Sequence, residues 1–151
     1  MATTMATTND PETRTQMTGP AVRGFLGITG DWGLTEAEQL TLLGASISRP
    51  TLQVWKASGS RTPLNIDQLT RISLLLGIYE GLQRVFRQAP AEGVRWLRRA
   101  RAEAPFGGSA PLEMMLHRGL AGIEETRRYI ESAIGGPPSR SWQPAQLPRA
   151  R

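Results

Sequence analysis

The segment that most constrains this fold is Ile66–Phe86. Ile66, Leu69, Ile72, Leu74, Leu75, Leu76, Ile78, Tyr79, Leu82, Val85 and Phe86 cover most of a helix's circumference in its middle turns. A helix apolar nearly all round must be covered on most sides, either as the central helix of its own bundle or in part by a second subunit. Asn65 supplies its N-cap. Gly77 and Gly81, four apart, would let a neighbouring helix cross closely; simple tolerance of glycine, at about 1 kcal/mol each against alanine, is the other reading. No stretch alternates with the period of two that a half-buried strand needs, so the expected fold class is all-α.

The segments around this helix carry start and stop signals. From Met1 to about Thr18 the chain is polar, threonine-rich and poor in large apolar residues, and is expected to be a disordered arm. Val22, Phe25, Leu26 and Ile28 follow with helical spacing, closed by Gly30 and Gly33. Thr35-Glu36-Ala37-Glu38 fits a capping box opening a short helix through Leu40, Leu42 and Leu43, with Gly44 as a left-handed C-cap. Ser48-Arg49-Pro50 opens the next, where Leu52 and Trp55 face inward and Gln53 and Lys56 outward. Two short capped helices joined by a turn containing glycine form the pattern of a helix-turn-helix.

After residue 88, Ala91–Arg101 is expected to be a helix with Val94, Trp96 and Leu97 inside and Arg95, Arg98, Arg99 and Arg101 outside. Phe106-Gly107-Gly108 turns the chain, Ser109 caps a helix with Pro111 in its first turn, and Gly119 separates it from Leu120–Ile134. Gly135-Gly136-Pro137-Pro138 ends regular structure. The expected organisation is an arm at 1–18, a helix-turn-helix domain at 19–88, a small helical domain at 89–136 and an extended tail at 137–151.

Catalysis needs poised groups, and the chain offers few. There is one histidine, at a helix end, and no cysteine, hence no disulfide frame and no thiolate site. No phosphate-binding glycine loop and no paired-histidine spacing occurs, so neither an enzyme, nor a metal, nor a cofactor is expected. The longest apolar run, Ile72–Tyr79, is far short of the roughly 20 residues of a membrane span. The N-terminus lacks the apolar segment of a secretory signal, so a cytoplasmic protein is expected.

What remains is binding. The net charge is +5, and every basic residue except Lys56 is arginine. A high-GC genome would produce that ratio, and so would an acidic partner. In a helix-turn-helix the second helix lies in the major groove, where Arg and Lys pair with guanine and Gln with adenine. Arg49, Thr51, Gln53 and Lys56 are the expected DNA-facing residues, with Arg61 and Thr62 on phosphate. A helical hairpin with a merely solvated polar face would carry the same pattern.

Trp96-Leu97, Phe106-Gly107-Gly108, Pro111-Leu112, Gly119, Gly122 and Tyr129-Ile130 together resemble the toxin-binding domain of the Xre/MbcA/ParS antitoxin family. Leu43–Leu52 and Trp55 resemble the Xre-like helix-turn-helix of the same family. The resemblance covers about residues 21–136 and departs at the N-terminal arm and at Arg101–Pro105. It implies an antitoxin of a type II toxin–antitoxin system. Its partner would be a RES-domain toxin that consumes NAD or transfers ADP-ribose from it, and the antitoxin would be a homodimer that binds its own operator DNA. It also implies a C-terminal region that covers or enters the toxin's NAD pocket. The toxin-binding residues expected on this basis are Phe106, Gly107, Gly108, Pro111, Met115, Gly119, Arg127, Tyr129, Arg140, Trp142, Arg149 and Arg151. In the tail, Trp142 could stack, the Arg151 carboxylate could imitate phosphate, and Arg140, Arg149 and Arg151 could pair with catalytic acids. The alternative is a free-standing helix-turn-helix regulator in which 104–136 only dimerises. No membrane and no small-molecule substrate is expected in either case.

Overall fold

A computed structural model describes residues 10–134. Among the described residues there are six α-helices and no strand: α1 Pro11–Asp31, α2 Glu36–Leu42, α3 Arg49–Ser58, α4 Ile66–Val85, α5 Pro90–Arg98 and α6 Pro111–Ile134. The all-α expectation holds. The chain separates into two compact units, Met1–Ser73 and Leu74–Arg151, with the division inside α4. The sequence places it after residue 88, in the connection beyond that helix.

In the first unit, α1 begins well before the expected position. Asp10 is its N-cap, accepting from the Thr13 amide at 3.2 Å, and Pro11 occupies the first turn. Residues 11–18 are therefore helical, which corrects the expectation of an arm reaching Thr18. The physical reason lies at both ends of that stretch. The cap and Pro11 satisfy and pre-set the first turn. Thr18 is buried, donates to the Arg14 carbonyl at 2.6 Å and accepts from the Leu64 amide at 3.0 Å. Pro20 sits inside this helix, where the missing amide costs one hydrogen bond.

Val22, Phe25 and Ile28 of α1 enter a core with Leu42, Leu43, Leu52, Trp55, Leu64, Leu69 and Ile72. Phe25 and Trp55 meet edge to face, with ring centroids 6.4 Å apart. One buried polar link crosses this core: the Gln39 amide donates to the Thr29 hydroxyl at 2.8 Å, and Thr29 donates to the Phe25 carbonyl at 2.8 Å. At the start of α4, Asn65 and Gln68 cap each other's backbone amides, at 2.8 and 3.0 Å, and Gln68 also donates to Ser46 at 2.9 Å.

The second unit buries Leu75, Ile78, Leu82 and Phe86 of α4, Trp96 and Leu97 of α5, and Leu112, Met115, Ile123, Tyr129 and Ile130 of α6. Helix α5 is shorter than expected and ends at Arg98. Arg101 consequently turns inward, with its side chain 11% exposed, and is not part of the basic surface of α5. Helix α6 is two helices joined at Gly119, whose φ of 62° and ψ of −138° break the helical path. The break lets Gly122 approach the Met114 carbonyl so closely that a Cβ there would lie 2.5 Å from its oxygen. Arg118 and Glu125 bridge the break through two contacts of 2.9 Å. At the start of α6 the Glu113 carboxylate accepts from the Ala110 amide at 3.1 Å, while the Ser109 carbonyl accepts from the Arg101 amide at 3.1 Å. Ser109 thus belongs to the preceding loop.

Candidate nucleic-acid interface

The α2–turn–α3 element is built by local signals that agree with one another. Thr35 and Glu38 form the capping box of α2: the Thr35 hydroxyl accepts from the Glu38 amide at 3.1 Å and the Thr35 amide donates to Glu38 at 2.9 Å. The helix ends in a left-handed turn at Gly44 and Ala45, with φ of 71° and 54°. Arg71 of α4 fastens this turn. Its Nε pairs with Asp67 at 2.8 Å, its Nη1 donates to the Leu42 carbonyl at 3.4 Å, and its guanidinium lies against Gly44, where a Cβ would meet it at 2.9 Å. Ser48 then caps α3, accepting from the Thr51 amide at 3.2 Å. With Leu52 and Trp55 buried, the opposite face of α3 is held outward.

The residues expected on DNA, Arg49, Thr51, Gln53, Lys56, Arg61 and Thr62, are all exposed. The structure divides them into two groups. Arg49, Gln53 and Lys56 lie at i, i+4 and i+7 and converge on one carboxylate, that of Glu36. Arg49 Nη1 is 3.4 Å from Oε1, Lys56 Nζ is 3.2 Å from Oε2, and the Gln53 amide donates to Oε2. Thr51 faces elsewhere: its hydroxyl bonds to Ser48 Oγ at 3.0 Å, and it lines, with Arg61, a shallow groove between α3 and the loop before α4. Ile47, Val54, Ser60 and Thr62 line it as well, over the buried Trp55, Leu64 and Gln68. Glu36 has no distinguishing signal in the sequence beyond its place in a capping-box tetrapeptide, because its partners lie 13 to 20 residues away.

Residues 12–77 match the family of the antitoxin Xre-like helix-turn-helix domain. The match spans all of α2, the turn and α3, with the Glu36 cluster inside it. An uncharacterized protein of Sinorhizobium fredii, y4oB, is 30% identical over 115 residues, which is 76% of this chain and 84% of the relative. The chain belongs to one family with that protein, and residues 12–77 are similar to the antitoxin Xre-like helix-turn-helix domain.

Beyond the Xre-like domain, the residues expected to bind a toxin fall into three sets. Phe106, Pro111, Met115 and Tyr129 are buried. In this chain their side chains pack the core of the second unit. Trp96, Phe106 and Tyr129 form an aromatic cluster with centroid separations of 5.0 to 5.9 Å. Gly107, Gly108 and Gly119 all have positive φ, at 57°, 100° and 62°, and Gly107 and Gly108 are exposed at the loop tip above Phe106. Arg127 is half-buried, pairs with Glu131 at 3.0 Å and lies over Gly77, where a Cβ would sit 2.4 Å from its guanidinium. Arg140, Trp142, Arg149 and Arg151 lie outside the described residues.

Arg101 and Glu103, with Tyr129 of α6, supply the polar centre of the second unit. Glu103 accepts from Arg101 at 2.7 Å and from the Tyr129 hydroxyl at 3.1 Å, and Arg101 sits 5.8 Å over the Trp96 ring. Burial alone would raise the Glu103 pKa, but the bonds from Arg101, from its own backbone and from Tyr129 outweigh it and hold the carboxyl below its usual value. Burial, and next the Glu103 charge, push the Tyr129 phenol up. These groups fix a loop; nothing in their geometry suggests turnover. Among the described residues no acidic or histidine cluster is arranged to hold a metal, and no helix is long and apolar enough to cross a membrane.

Proposed function

We propose that this protein is the antitoxin of a type II toxin–antitoxin system, binding operator DNA through α3 and neutralising a RES-domain toxin by direct contact. The observation that carries the DNA half is the exposed Arg49–Gln53–Lys56 face on α3, the second helix of the helix-turn-helix, within the region that matches an Xre-like antitoxin domain. Those side chains supply two cations and an amide at a spacing suited to base edges and phosphates. The toxin half draws support from the same antitoxin domain and from a compact second unit whose motif residues, Trp96, Phe106, Pro111 and Tyr129, are spent on holding a glycine loop and a broken helix in place. The partner would be the product of an adjacent reading frame, its NAD pocket occluded by residues 104–136 and the tail, and the antitoxin would act as a homodimer.

The rival reading is a free-standing regulator whose second unit only dimerises. Two variants separate them. Gln53→Ala with Lys56→Ala should abolish operator binding and leave toxin neutralisation intact. Deleting residues 139–151 should weaken neutralisation and leave operator binding intact. A truncation that neutralises as well as the full chain removes the tail from the mechanism. A chain that binds its operator but never protects against the neighbouring product supports the regulator.

A further inference from the structure

The reading face of α3 is already occupied in the free protein. Both oxygens of the Glu36 carboxylate accept from α3, Oε1 from Arg49 and Oε2 from Gln53 and Lys56. These are three of the residues offered above as the DNA contacts, and the acceptor chemistry they find in Glu36 is what a guanine edge, an adenine N7 or a phosphate oxygen would provide. The backbone that carries Glu36 is held in place. Glu36 stands in the first turn of α2, between Thr35 and Glu38 of the capping box, and a carboxylate is favoured there by the helix dipole. It is also half-buried, with its side chain 33% exposed, close to the 38% of Lys56, whereas Arg49 is 62% exposed. The short carboxylate arm thus stands on a capped helix start, and Arg49 is its most exposed partner.

We propose that Glu36 is an internal competitor for DNA that sets specificity: it occupies Arg49, Gln53 and Lys56 until a duplex offers them better acceptors. This rests on the DNA-binding reading above. Phosphates on a random sequence compete poorly, because they must displace a neighbouring carboxylate that stays nearby and repels them. A cognate site adds directional base acceptors to the phosphate contacts and repays the exchange. Glu36 thereby lowers affinity for all duplexes, and lowers it most for the wrong ones.

The test compares the full chain with Glu36→Gln on two probes, a short random-sequence duplex and the duplex upstream of its own gene, across a salt series. Glutamine keeps the size and the acceptor oxygen but removes the charge. The expected result is random-duplex binding tightened at least tenfold, with operator binding tightened less, so that the ratio of the two falls. The plot of log affinity against log salt should steepen by about one to two for the random duplex, as Arg49 and Lys56 become free to displace counterions. Thermal unfolding of both proteins controls for damage to α2. If Glu36→Gln weakens binding to both probes, or leaves the ratio and slope unchanged while Lys56→Ala still weakens binding, the competitor role is wrong and the DNA reading stands. If the wild-type chain binds neither probe and Lys56→Ala changes nothing, both fail.

Discussion

Tyr129 donates its phenolic hydrogen to Glu103 at 3.1 Å, onto the same carboxylate oxygen that Arg101 holds at 2.7 Å. One oxygen thus ties the loop after α5 to the last turns of α6. Because Glu103 titrates lower in the folded protein than in the unfolded chain, it stabilises the fold fully above the unfolded value, near 4.5, and that contribution is lost as pH falls through the folded value. Glu103→Gln should cost about 1–2 kcal/mol at neutral pH and flatten the loss of stability below pH 4.5. Tyr129 works in the opposite sense: its raised value means stability present below about pH 10 and lost as pH rises beyond it. Tyr129→Phe should remove that alkaline loss. Urea unfolding at a series of pH values reads both.

Two glycine substitutions should have opposite signs. Gly122→Ala places a methyl 2.5 Å from a backbone oxygen that cannot move without the break at Gly119 moving too, and should cost about 1–3 kcal/mol. Gly27→Ala, on α1 with nothing within 4 Å of the new methyl, should stabilise by about 0.5–1 kcal/mol. Thermal melts of the two variants decide this, and equal shifts would count against the close approach across the helix break.

The buried pair in the first unit should behave as a unit. Thr29→Val leaves the Gln39 amide without its acceptor and should cost about 1–3 kcal/mol. Thr29→Val combined with Gln39→Leu should recover much of that loss. A double-mutant cycle measures the coupling, and additivity within about 0.3–0.5 kcal/mol would show that the bond contributes little.

Removing the cap of α1 with Asp10→Ala should cost about 1 kcal/mol and speed hydrogen exchange at the Thr13 amide, which Asp10 accepts from. Protection at the Leu64 amide, held by Thr18, should survive.

The elements announced by short-range chemistry were legible in the sequence. Thr35 with Glu38, Ser48 before Pro50, Gly44 and Gly119 act within four residues of themselves, and each does what its type implies. The exposed face of α3 was equally legible, because Leu52 and Trp55 fix which side is buried and i, i+4, i+7 spacing does the rest. The start of α1 was not. Its first turns are polar, so composition argued for an arm, whereas the ordering comes from an N-cap at Asp10 and from a bond between Thr18 and a residue 46 positions away. The Glu36 cluster and the Glu103–Tyr129 bond were hidden for the same reason: side chains 13 to 26 residues apart meet only once the chain has folded. Phe106 and Tyr129 carry a pattern with two readings. A recurring aromatic beside glycines suggests contact with a partner, yet the same pattern arises when the aromatic anchors the loop that the glycines shape.

The most direct measurement is growth of cells expressing the adjacent reading frame's product with and without this protein, coupled to affinity capture. The expected result is that the product alone arrests growth, that co-expression of the full chain restores it, and that the two proteins purify as a complex. Growth that stays arrested, with no complex recovered from cells containing both folded proteins, would contradict the antitoxin function.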